Sequence, residues 1–129
     1  TAKEVLEGQV LSGNTPVKAD VRRYDIDIPK AEGGITIADL FKNKENYNGS
    51  RVIIQGKVTR FNPSIMKKNW IHLQDGTEYS GKYDLTVTSD STNVSVGQII
   101  TLEGTVKLDQ DFGAGYFYEV LLTDIELLP

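Results

Sequence analysis

The chain has 129 residues, 39% of them hydrophobic and 25% charged, with a formal net charge of −4, values that fit one compact soluble domain with an extension. The absence of cysteine excludes disulfides, thiolate metal sites and cysteine nucleophiles. No apolar run reaches the length of a membrane-spanning helix, and the negative charge gives no global support for nucleic-acid binding.

Residues 1–34 are polar and weakly patterned and read as an N-terminal extension able to add a strand. "EVLEGQVL" and "VRRYDIDI" each have the composition of a strand, and "PKAEGG" follows as a linker or turn. The chain opens at Thr1 with no initiator methionine or signal pattern, so it reads as a mature or trimmed piece.

"TIADLFKNKENYNGS" is the one predicted helix. Thr36 caps it, Asp39 completes a capping-box-like start, and Ile37, Leu40 and Phe41 share a face. Tyr47 packs at its end, and Asn48-Gly49 stops it.

Strands follow. "RVIIQGKVTRFN" (51–62) alternates at Val52, Ile54, Gly56 and Val58, with Gly56 expected at a bulge or bend. A loop at 62–69 leads to "NWIHLQ" (69–74), which sets Ile71 and Leu73 against Trp70, His72 and Gln74, and "DGT" turns the chain. "YDLTVTS" (83–89) places Leu85 and Val87 opposite Asp84, Thr86 and Thr88. "VGQIITLEGTVKLD" (96–109) carries a second interior glycine, Gly104. A loop at about 108–115 joins it to the apolar "GYFYEVLLTDIELL" (115–128).

One helix and five bent strands predict a mainly β protein: a five-stranded oligonucleotide/oligosaccharide-binding (OB) barrel over residues 35–129. An immunoglobulin-like sandwich needs about seven shorter strands. Charge is unevenly spread. Residues 50–70 hold Arg51, Lys57, Arg60, Lys67 and Lys68 and no acid, whereas residues 71–129 hold two basic and ten acidic residues.

"TIADLFKNKENYNGSRVIIQGKVTRFNPSIMKKNWIHLQDGT", "DLTVT", "VGQIITLEGTV" and "LDQDFGAGYFYEVLLTDIEL" together resemble a group of exported bacterial OB-fold proteins. Several of these look like lipoproteins, and they are described as nucleic-acid-binding through similarity to tRNA-anticodon-type OB domains. "IMKKNWIHLQDGT" and "DFGAGYFYEV" are the most specific parts. The resemblance implies a periplasmic or membrane-anchored location. That family commonly has glycine where this chain has Lys67, a change in the loop's shape and charge.

In OB barrels ligands lie across the second and third strands, between the first–second and fourth–fifth loops. Single-stranded nucleic acid needs cations for phosphates and flat rings for bases, at about 1–3 kcal/mol per stacked base. Lys57, Arg60, Lys67 and Lys68 are the candidate cations, and Trp70 and Phe112 the candidate stacking rings. Met66, His72, Thr86 and Thr88 complete the candidate face. Each has a plainer reading. Trp70 can close one end of the barrel, Ile65 and Met66 can plug the space under their loop, and the lysines can be ordinary solvated charges. Phe112 either tucks back on Trp70 or stands out as a platform.

His72 is the only histidine, so no zinc site is expected, and "DQD" at 109–111 is too short for a calcium loop. No G-x-S-x-G, Walker A or dinucleotide motif occurs. The expectation is a non-catalytic binding module without cofactor or metal, with single-stranded nucleic acid as ligand. The alternative is a protein-interaction module using the same groove, favoured by the acidic second half. A small ligand or oligosaccharide is permitted by the fold.

Overall fold

A computed structural model describes residues 22–129. It is mainly β. Five strands, β1 (Arg51–Ile65), β2 (Lys68–Gln74), β3 (Leu85–Ser89), β4 (Ile99–Asp111) and β5 (Phe117–Leu128), pair in the order β1-β2-β3-β5-β4. β4 pairs back onto β1, so the sheet closes. All pairings are antiparallel except the short one between β3 and β5.

The alternating positions of β1, β2 and β3 fill the interior as expected, and residues of β4 and β5 join them. Val52, Ile54 and Val58 of β1 meet Ile71 and Leu73 of β2, Leu85 and Val87 of β3, and Leu102, Val106, Val120 and Leu122 from β4 and β5. Ile37, Leu40 and Phe41 join the same cluster from the helix. A one-residue slip in any strand would turn its apolar set outward, which fixes the register.

Helix formation follows the capping signal, with one difference in length. Thr36 Oγ1 accepts a hydrogen bond from the Asp39 amide, and α1 spans Ile37–Lys42. The chain breaks at Asn43 and resumes as α2 (Lys44–Tyr47). The expected single helix is thus two pieces, because Asn43 leaves the helical region at φ −114° and ψ 32° while its side chain bonds back to Asp39. Tyr47 also donates to Asp39.

The "QDGT" turn ties three parts of the chain together. Asp75 is 1% exposed, a buried charge tolerated because its carboxylate accepts from the Ile37 amide, the Thr77 amide and the Thr77 hydroxyl. Thr77 Oγ1 accepts from the Ala38 amide, so the turn caps the start of α1. Gln74 accepts from the Tyr24 amide and donates to the Arg22 carbonyl, and the Ile28 amide donates to the Asp75 carbonyl. Gly76 has φ +93°, and a Cβ there would stand 1.9 Å from the Ile26 carbonyl oxygen, so only glycine fits.

These bonds hold residues 22–28 against the sheet as an irregular segment. The strand expected at "VRRYDIDI" is not formed over 22–28, where the Gln74 side chain and the Asp75 carbonyl take up its backbone groups. "EVLEGQVL" lies outside the described residues.

The two interior glycines differ. Gly104 sits at the irregularity of the β4–β5 ladder, where a Cβ would press on Ile125 at 2.9 Å. Gly56 pairs regularly with Ile100, and a Cβ there would lie 3.1 Å from the Gln74 carbonyl oxygen. The irregularities of β1 come later, between Val58 and Arg60 and between Asn62 and Ile65. Gly56 therefore permits close strand approach rather than a bend.

Candidate ligand-binding face

The ladders align the outward residues of three strands. Arg60 pairs with His72, and His72 with Thr86; one step along, Asn62 pairs with Trp70, and Trp70 with Thr88. The register thus brings Arg60, Trp70, His72, Thr86 and Thr88 onto one face. Alternation predicts an open surface there, yet Trp70, His72, Thr86 and Thr88 are all buried. Two different structures cover them.

At the Trp70 end the cover is a loop. The expected 62–69 loop is reduced to a turn at Met66 and Lys67, because β1 runs on to Ile65 and β2 starts at Lys68. Both turn residues have positive φ, 53° and 63°, the pattern of a tight two-residue hairpin. Lys67 therefore stands in a backbone conformation that favours glycine.

Trp70 is 0% exposed, and its Nε1–H donates to the Ile65 carbonyl at 2.8 Å. The β4–β5 loop folds over it. Phe112 meets the indole edge-on with centroids 5.1 Å apart, and Tyr118 lies tilted at 5.6 Å. Asp111 holds this loop by accepting from the Gly113 amide, and the Phe112 and Tyr116 backbones close it. The two rings expected to stack bases instead pack edge to face against each other. Burial also pushes the Tyr118 hydroxyl pKa above its ordinary range. Thr88 donates a long bond to the Leu122 carbonyl, 3.5 Å.

The His72 end is built differently. His72 Nδ1 lies 2.6 Å from Asp84 Oδ2. A carboxylate oxygen accepts, so Nδ1 carries the proton. Asp84 comes from the segment entering β3 and also touches Gln74. A groove of about 400 Å³ opens beside this pair, with Thr86 of β3 and Phe117, Tyr118 and Glu119 of β5 among its walls. Glu119 accepts from Lys44 and from Lys82, each at 2.8 Å. The Lys44 bond, followed by that of Lys82, holds the Glu119 carboxyl below its ordinary pKa, and the same bond to Glu119 raises Lys44.

The cations fall into two groups. Lys57 and Arg60 lie half-buried on β1 beside the 22–28 segment, where Arg22, Tyr24, Arg60 and His72 line one narrow cleft and Lys57 and Tyr24 line the next. Tyr24 is 41% exposed, with the Arg22 guanidinium 5.5 Å from its ring centre. Lys67 and Lys68 sit at the hairpin tip, roughly 20 Å further along β1 by strand rise. Lys68 faces Asp90 at 3.7 Å, and Met66 beside them is 39% exposed.

Arg22, Tyr24, Asp84, Lys82, Phe117 and Glu119 were not among the expected site residues. Asp84 carried a readable signal, since it alternates with Thr86 and Thr88. Arg22 and Tyr24 reach the face through backbone bonds to Gln74, which no local pattern reveals.

Among the described residues no group of three or more histidine, aspartate or glutamate side chains gathers into a metal-binding cluster, and no helix is long and apolar enough to cross a membrane. No protein-family model matches the chain, and no curated protein matches it.

Proposed function

We propose that the closed sheet is an OB barrel and that the chain is a non-catalytic binding module for single-stranded nucleic acid. The parallel β3–β5 contact in an otherwise antiparallel five-stranded closed sheet supports the barrel assignment. One observation carries the ligand: Arg60 lies in register with His72 and Thr86, and Arg22 and the exposed Tyr24 ring stand beside it. Cations next to a ring are what a single strand requires. Tyr24 takes the stacking role that the buried Trp70 does not offer. The exported, lipoprotein-like location is part of the proposal and rests on the resemblance alone.

Fluorescence anisotropy of a labelled dT12 oligonucleotide tests the reading. With Arg22, Lys57 and Arg60 on phosphates, affinity falls about ten-fold or more between about 50 and 200 mM salt. An Arg60→Gln, Lys57→Gln double variant binds more weakly and with a shallower salt slope. Absent or salt-independent binding refutes it. The second reading, a protein-interaction surface, draws on Met66 and on Phe117, which is 45% exposed, and expects no such salt dependence.

A further inference from the structure

We propose that the groove beside His72 and Asp84 holds the base of one nucleotide, whose phosphate lies over Arg22 and Arg60. This deepens the nucleic-acid reading above and rests on it.

His72 is 2% exposed, and its Nε2 has no hydrogen-bond partner among the described residues. With the proton on Nδ1 toward Asp84, Nε2 of the neutral ring is an acceptor. A buried acceptor left without a partner is unfavourable, so a donor arriving from the groove is rewarded. Every nucleobase carries an N–H or amino donor on its edge.

The groove has the size of a ligand pocket, about 400 Å³. Its walls include Phe117 and Tyr83, which offer flat apolar surface, and Thr86, a hydroxyl. Of its charged walls, Lys82 bonds to Glu119, which also accepts from Lys44, and Asp84 adds a second carboxylate. That side suits an uncharged ring and not a phosphate. Across the His72–Asp84 pair the character reverses: Arg22 and Arg60 line the adjoining cleft, which His72 and Asp84 also line. The pair is the wall between a groove with aromatic walls and a cleft that two arginines line. A ligand that spans it carries a planar ring with an N–H at one end and an anion at the other, which describes a nucleotide unit.

The test compares labelled dT12 with an abasic 12-mer of equal charge, at one low salt concentration, on the full chain. The wild type is expected to prefer dT12 by about ten-fold, the scale of one well-stacked base. Phe117→Ala and His72→Gln each bring dT12 affinity down toward that of the abasic strand. Arg60→Gln weakens both strands together. Phe117 is half-exposed, so its variant keeps the fold, which an unchanged Tm verifies. A dT12 preference that survives both groove variants, or equal binding of the two strands by the wild type, overturns the groove assignment and leaves the nucleic-acid reading standing. Failure of the wild type to bind either strand removes both.

Discussion

Trp70 and His72 are two residues apart on the same face of β2, and the structure treats them in opposite ways. Trp70 is sealed. A hairpin turn supplies its hydrogen-bond acceptor, and Phe112 and Tyr118 cover its ring. His72 is just as buried, but it forms the wall of an open groove and has a ring nitrogen without a protein partner. Burial alone therefore does not separate packing from recognition. What separates the two residues is whether the ring nitrogens are satisfied inside the fold. A buried group with every donor used has no chemistry left to offer a ligand.

The largest expected effect comes from breaking the sealed end. Trp70→Ala removes a fully buried indole and its hydrogen bond, and is expected to cost about 3–5 kcal/mol in urea denaturation. Phe112→Ala takes away only a half-buried lid, so about 1–2 kcal/mol is expected. It also admits water to the indole, and a red-shifted Trp70 emission reports that directly.

At the open end the effects are smaller. Glu119→Gln loses the bonds from Lys44 and Lys82, a partly exposed network worth about 0.5–1 kcal/mol near neutral pH. The sign of its pH dependence follows from the lowered Glu119 pKa. The stabilisation is complete above the ordinary glutamate value of about 4.5 and is lost as pH falls through the lower folded value. Wild type and Glu119→Gln should differ at neutral pH and converge in acid, as paired thermal melts would show.

The smallest change is a gain. Lys67→Gly places glycine at φ 63°, and a stabilisation of about 0.5–1 kcal/mol is expected, read as a small rise in Tm. A loss instead would mean that the Lys67 side chain, not its backbone, matters at the tip.

Much of the fold was legible in the sequence. Period-two alternation located the interior of the first three strands, as Ile71 and Leu73 or Leu85 and Val87 show. Thr36 marked the helix start because capping is local chemistry. The turn at Met66-Lys67 was not legible, since neither residue carries the asparagine–glycine signal of a tight hairpin. The candidate face was half legible. Alternation put His72, Thr86 and Thr88 on one side, but the cover over Trp70 comes from Phe112, 42 residues on in the numbering. The His72–Asp84 contact depends on how the chain enters β3, and the basic cleft on backbone bonds from residues 22–28. Those are long-range facts that no local pattern encodes.

The central claim is that ligand engages the His72 side of this face and leaves the Trp70 side closed. Chemical-shift mapping of ¹⁵N-labelled protein during titration with dT12 tests it most directly. The account expects the His72 ring nitrogens and the amides of Tyr24, Arg60, Thr86 and Phe117 to move, while the Trp70 indole N–H stays where it is. A Trp70 indole that shifts while the His72 ring does not would contradict it.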